Sequence, residues 1–206
     1  MNDPIYMTTL NGLVDLTSPD PALITTRAIA YGLAKINRWA GNTELPVTDA
    51  QHSLLVAQIF RKIRPALARW SITAELHDAH EYLIGDVLAP TTKLLTLRLP
   101  GFGRHLEAEK LRLDEAIRQA LGLPSPPPAL AIEIAAAVHD ADLCAYDVEW
   151  RSFIPPSNGP SPYAEHGKRH GVAGMRIKAM PWVDAEVKLF ESLDAQLAGK
   201  AWELAA

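Results

Sequence analysis

The chain has 206 residues, 48% of them apolar and 21% charged, with 20 basic residues set against 24 acidic ones. That length suffices for one domain with a real hydrophobic core. The charge balance offers no electrostatic footprint for a nucleic-acid backbone, and no apolar run reaches the roughly 20 residues of a membrane-spanning helix. A lone Cys144 excludes an internal disulfide and a cysteine-rich zinc site. The N-terminal MNDPIYMTTLNG lacks the basic-then-apolar pattern of a secretory signal, so a cytoplasmic setting is expected.

The periodicity predicts helix after helix. From Pro21 to about Asn37, Ile24, Ala28, Tyr31 and Ile36 recur near one face, and Gly41-Asn42 ends the segment. Thr48 reads as an N-cap, with Gln51 three residues on forming a weak capping box, and the following helix runs to Ile63. Pro65 restarts the chain into a long helix ending at Gly85. Residues 86–102 break the rhythm and predict a loop with one short helix. A strongly amphipathic helix is expected from about His105 to Leu121, stopped by LGLPSPPP, whose prolines form a rigid turn. PALAIEIAAAVHDADLCAYDVEW predicts an alanine-rich, close-packed helix, and 154–174 an irregular surface loop. A last helix covers about Val183 to Ala198. No alternating strand pattern and no internal repeat is evident. The expected fold is a single all-α domain spanning 1–206, a helical bundle with its core at about 21–152 and a C-terminal loop and helix at about 154–200.

Seven histidines are present, several beside acids. The densest polar chemistry lies in TAELHDAHEYLIGD, inside an otherwise apolar helix. His77 and Asp78 are adjacent, Glu81 lies one turn beyond His77, and residues three or four apart share a helical face. A buried carboxylate beside a buried imidazole costs several kcal/mol unless paired or metal-bound. A divalent ion of the Mn, Fe, Co, Zn or Mg type, in a site with room for water, justifies placing them there. His52 stands at the head of another apolar helix, in QHSLLVAQIF, and Asp142 stands in the alanine-rich helix.

A histidine, then His-Asp, then a distant aspartate, each on a separate helix, resembles the HD-domain metal-dependent phosphohydrolases. INRWAGNTELPVTDAQHSLLVA followed by LHDAHEYLIGDVLAPTTK is similar to the branch containing bacterial 5′-deoxynucleotidases and phage nucleotide phosphohydrolases, over about residues 7–150. The resemblance implies an HD-type bundle in which His52, His77, Asp78 and Asp142 bind one divalent cation and Glu81 handles the attacking water. It also implies that Arg38 and Trp39 contact a nucleotide, that Asp86 approaches the sugar, and that Lys93 meets phosphate. Asp140 and Asp142 are about 200° apart on an ideal helix, so both cannot face one metal. The family pattern favours Asp142, with Asp140 the alternative.

The physics of these residue types agrees. Arg38 offers a planar fork for phosphate oxygens and Trp39 a flat face for a base. Phosphoryl transfer needs chiefly positioning and charge neutralisation. The expected activity is hydrolysis of a nucleotide phosphate ester by metal-activated water, first on a 2′-deoxynucleoside 5′-monophosphate. A triphosphate phosphohydrolase on the same fold and a non-catalytic nucleotide-sensing module are the alternatives. The expected partner is a small nucleotide, with neither nucleic acid nor membrane, and the resemblance implies a homodimer. His80 either lines the pocket or faces solvent. His105 and His139 lack the extra paired histidines that a second metal would need. His166 and His170, in EHGKRHG, have helical metal-pair spacing but no intervening glutamate of a zinc-protease helix, and are read as incidental. Trp70, Trp150 and Trp182 are read as core or interface, GFGR at 101–104 as a turn, and Cys144 as a buried thiol.

Overall fold

The computed structural model describes residues 3–200 and 202. It is a single, mostly helical domain with one two-stranded sheet. Strands β1 (Tyr6–Thr9) and β2 (Gly12–Asp15) form an antiparallel hairpin with Thr9 opposite Gly12. This corrects the expectation of no strand. The Asn11-Gly12 pair is a hairpin signal, and Gly12 takes φ +117, which a residue with a Cβ rarely adopts. The alternation was invisible because Val14 alone of the eight strand residues is fully buried. Asn11 Nδ2 ties the turn down by donating to Leu23 O and Thr25 Oγ1, each at 3.0 Å.

The expected 21–37 helix is shorter than its pattern. Pro21–Leu23 is a 3-10 turn, Ile24 and Thr25 are extended, and α1 spans Thr26–Leu33. Thr25 caps it by accepting from Ala28 N at 3.1 Å. Helix α2 (Asp49–Ile63) begins where predicted, with Thr48 Oγ1 accepting from Gln51 N at 3.2 Å. The Gln51 side chain does not close the box. It reaches across the fold, donating to Lys178 O (2.7 Å) and accepting from Met180 N (2.9 Å).

The single helix predicted from Pro65 to Gly85 is broken. Pro65–Trp70 is a 3-10 helix, α3 covers Ser71–Glu75, residues 76–80 form successive turns, and α4 is Glu81–Ile84. The cause is local. His77 Nδ1 donates to Ala74 O at 2.9 Å, taking the acceptor that the amide of Asp78 would use in a continuing α-helix. Amide bonds then close three residues back, as from Ala79 N to Leu76 O and Glu81 N to Asp78 O.

Helix α5 (Ala89–Arg98) is the short helix expected in 86–102, and it buries none of its residues. Helices α6 (Phe102–Ala120) and α7 (Pro128–Phe153) match the expected segments within three residues at each end. The 154–174 region holds a further short helix, α8 (Ala164–Arg169), and α9 (Trp182–Ala198) closes the described fold. Helix α2 is the hub, packed against α7, α3 and α9, while α1 packs on α9 and α4. Ala185, Leu189 and Leu193 of α9, four residues apart, are fully buried as one stripe in the cluster that holds Ile29 and Leu33. Each such leucine contributes about 1.5–3 kcal/mol. Phe60, Ile59 and Val148 anchor a second cluster between α2 and α7. No described helix is long and apolar enough to cross a membrane.

Candidate metal centre

Three elements meet where the two clusters adjoin: the first turn of α2, the broken segment 76–80, and the middle of α7. His52 is 1% exposed. Its Nε2 lies 3.2 Å from Asp142 Oδ1 and 3.9 Å from Asp78 Oδ2. His77 Nε2 lies 2.9 Å from Asp78 Oδ2 and 3.9 Å from Asp142 Oδ1. Both Nε2 atoms are buried, and neither makes a hydrogen bond despite these short separations. Such a pattern fits lone pairs aimed at a shared point and not at one another, and 2.9–3.9 Å is the spacing of neighbouring atoms around one ion bound at about 2.0–2.2 Å.

The opposite ring nitrogens are fully engaged. His52 Nδ1 donates to Glu149 Oε1 at 2.9 Å, and His77 Nδ1 to Ala74 O at 2.9 Å. Both rings are thereby held in the tautomer that leaves Nε2 free to bind a cation. Asp142, and not Asp140, stands beside the histidines. Asp140 turns the other way, towards Arg64, His166 and His170.

Glu81 belongs to a contiguous group with Asp78 and His80. It is 3% exposed, and its Oε2 has no hydrogen-bond partner. Burial, together with Asp78, Asp49 and Asp86, pushes its carboxyl up to about 10 against the opposing pull of Arg38. The expectation that Glu81 and His77 share one helical face is corrected by the break, since His77 lies in the turns and Glu81 opens α4. His80 is buried, with Nδ1 donating to Asp114 Oδ1 at 2.9 Å, so of its two expected placements the pocket holds.

Arg38 sits in a tight turn, Arg38–Gly41, in which Trp39 and Ala40 take positive φ of 60° and 51°. Non-glycine residues in that region cost of order 1 kcal/mol or more each, a strain that the surrounding packing must hold. Arg38 lies 3.5 Å from Glu149 Oε2 and 3.9 Å from Asp49 Oδ1, longer than hydrogen bonds, which leaves its donors available. Trp39 packs on Tyr146 and Trp150, with centroids 4.5 and 5.7 Å away, and Tyr163 closes on Tyr146 at 5.0 Å. Asp86 is half-buried with an unpartnered Oδ2, and burial raises its carboxyl despite Arg38. Lys93 is exposed on α5.

Charge explains the titration. Burial and Arg38 would each hold His52 neutral, but the carboxylates of Glu149 and Asp142 outweigh them and raise it to about 10. Asp142 and Asp78 are held below the usual carboxylate range, since their histidine neighbours outweigh burial. Burial raises Asp49 to about 7 in spite of Arg38. An acid-rich pocket with a single arginine takes up protons as counter-charge, and a divalent cation competes for the same role.

Sequence reasoning assigned no role to Glu149, Asp49 or Asp114. Glu149 had a signal: it lies seven residues after Asp142, two turns along the same face of α7. A cavity of about 620 Å³ opens beside His77, Asp78 and Asp142. Its walls are largely apolar, from Leu76, Ile117 and Ile134, with Lys110 and His80 among its polar residues. His139 stands on its rim, whereas His105 is exposed on α6 away from it.

No known family profile matches the chain. Over 119 residues it is 38% identical to an uncharacterized protein of Rhodobacter capsulatus. The match covers 56% of this chain and 57% of that protein, so the chain spans just over half the length of the relative it matches.

Proposed function

We propose that His52, His77, Asp78 and Asp142 hold one divalent cation and that the protein is a metal-dependent phosphohydrolase of nucleotides, acting first on 2′-deoxynucleoside 5′-monophosphates. The observation that carries this reading is the pair of buried, unpartnered Nε2 atoms converging with two carboxylates, each imidazole tied from behind. The donor set, two imidazoles and two carboxylates, suits Mn, Fe, Co, Zn or Mg. When bound, the cation supplies charge neutralisation at a phosphoryl oxygen and makes water more acidic.

The remaining work falls to the chain's own groups. Glu81 accepts the proton of the attacking water through its unpartnered Oε2; this requires its carboxylate form, which a cation offsetting the charge of the neighbouring Asp78 would favour. Arg38 approaches phosphate oxygens with donors that its long-range carboxylate pairs do not saturate. Trp39, braced by Tyr146 and Trp150, presents a fixed aromatic face to the base. Asp86 accepts from a sugar hydroxyl through its unpartnered oxygen. The homodimer implied by the resemblance would find an apolar surface around α5, where Leu94, Leu97 and Leu99 stand exposed.

The test is phosphate release from a panel of deoxy- and ribonucleoside mono- and triphosphates with Mn²⁺, Co²⁺, Mg²⁺ or Zn²⁺. Orthophosphate from monophosphates is expected; triphosphate release from dNTPs would move the reading to the triphosphohydrolase. Glu81→Ala should abolish turnover while the protein retains its metal, and Asp142→Asn should lose metal and turnover together. A fully metal-loaded protein that hydrolyses none of these nucleotides refutes the proposal.

A further inference from the structure

The segment read from sequence as incidental, EHGKRHG, forms a second cluster. His166 and His170 lie four residues apart on and just after α8, their rings 4.6 Å apart, both turned onto Asp140 of α7. His166 Nε2 is 3.4 Å and His170 Nε2 3.8 Å from the same oxygen, Asp140 Oδ1. In a tetrahedral shell with bonds of 2.0–2.1 Å, donor atoms stand about 3.3 Å apart. His166 Nε2 is buried and has no hydrogen-bond partner. The other carboxylate oxygen, Asp140 Oδ2, accepts from Arg64 at 2.8 Å, which fixes the orientation of the carboxylate and leaves Oδ1 facing the imidazoles. All three side chains are largely buried, with 13–23% exposure, so enough access remains for a water or an ion.

The backbone is built to bring α8 this close. A Cβ at Gly167, between the two histidines, would lie 2.1 Å from Asp147 Oδ2. Asp147 cannot easily yield, being 1% exposed and held by Arg151 at 2.8 and 3.1 Å. Arg151 also donates to Val172 O, Ala173 O and Met175 O, pinning the chain that follows α8. The spacing of the histidines and the glycine between them therefore serve one geometry.

We infer that Asp140, His166 and His170 form a second divalent-cation site, suited to zinc, that clamps α8 onto α7. Two imidazoles and one carboxylate leave a fourth position for water, the donor set of borderline-soft Zn²⁺. None of its residues belongs to the His52 cluster, and Asp140 and Asp142 leave α7 on opposite faces. Arg64 neutralises the charge of Asp140, so this site binds more weakly than the acid-rich one.

Zinc titration of the full chain, by calorimetry and by metal analysis after dialysis, tests it. Wild-type protein should bind two equivalents, His166→Ala/His170→Ala one, and His52→Ala/His77→Ala one. Asp140→Asn should weaken the second equivalent about tenfold or more. If the first site takes no zinc, wild type binds one equivalent, which persists in His52→Ala/His77→Ala and vanishes in His166→Ala/His170→Ala. The two proposals thus fail separately. Co²⁺ added beyond the first equivalent, once the tighter site is filled, should also broaden the imidazole proton resonances of His166 and His170 in the unmutated chain, a readout that needs no variant to fold. Zinc binding that is unchanged in a folded His166→Ala/His170→Ala variant, or Co²⁺ in excess of two equivalents that leaves those two resonances sharp, overturns the inference.

Discussion

Glu149 offers the sharpest test of how the first cluster is held. It is fully buried, with Oε1 accepting from His52 Nδ1 at 2.9 Å and Oε2 3.5 Å from Arg38. Glu149→Gln preserves volume and keeps an acceptor for Nδ1, but it removes the negative charge that makes the imidazole a better donor at Nε2. Loss of such a partner typically weakens a bound cation 10- to 100-fold, about 1.4–2.7 kcal/mol. Glu149→Ala is a poorer probe, since it leaves Arg38 without one of its two close carboxylates, a change that costs about 3–5 kcal/mol on its own when a buried pair is broken. The assay is Mn²⁺ or Co²⁺ affinity by calorimetry, with stability measured separately in chelator. Burial would raise the carboxyl of Glu149, but His52 and Arg38 outweigh it and hold it below 4.5. Its charge therefore stabilises the fold above that pH, and the stability gap between wild type and Glu149→Gln should close on acidification. Metal affinity within twofold of wild type in Glu149→Gln refutes the assigned role.

Glu75 should show the opposite pH dependence. It is fully buried on α3, accepts from Ser192 and Gln196 of α9, and burial raises it above its ordinary 4.5. The folded state then holds the proton longer, so wild type should match Glu75→Gln below about pH 4.5 and lose stability relative to it as pH rises towards the folded value, as read by urea melts across pH. Gly167→Ala should destabilise by about 1–3 kcal/mol through overpacking against Asp147, despite alanine's higher helix propensity, and should weaken zinc at Asp140 as α8 shifts; an unchanged melting temperature would contradict the tight approach. Leu189→Ala, at a position with no exposure, should cost about 2–5 kcal/mol, seen as a lower urea midpoint with an unchanged slope.

What could be read beforehand followed local physics. Thr48, the proline stops and the apolar stripes of α2, α6, α7 and α9 act within a few residues, and their elements lie where expected. The hairpin escaped because burial, the cause of visible alternation, falls on Val14 alone, although Asn11-Gly12 was in plain view. The break at His77 escaped for a subtler reason. Periodicity records which residues face the core, and the apolar residues from Leu67 to Leu83 do so whether or not the backbone is one helix. What interrupts it is the His77 imidazole, which captures the Ala74 carbonyl.

The same contact explains why the candidate site lies where it does. A continuous helix through 71–84 would leave the Ala74 carbonyl paired with the Asp78 amide and His77 Nδ1 without that acceptor. With the break, the hydrogen bond that ends α3 is also the one that fixes the tautomer of His77 and frees its Nε2. Removing the imidazole thus removes both a candidate ligand and the local reason for the turn. A purely metal-binding histidine and a purely structural one predict different outcomes for His77→Asn, whose amide can still donate to Ala74 O. If the turn matters to the cluster beyond ligation, His77→Asn should retain Asp78 and Asp142 in place and bind a cation weakly, whereas His77→Ala should lose binding and cooperativity of unfolding together. Identical affinities and melts for the two variants would mean that the turn is held by other contacts.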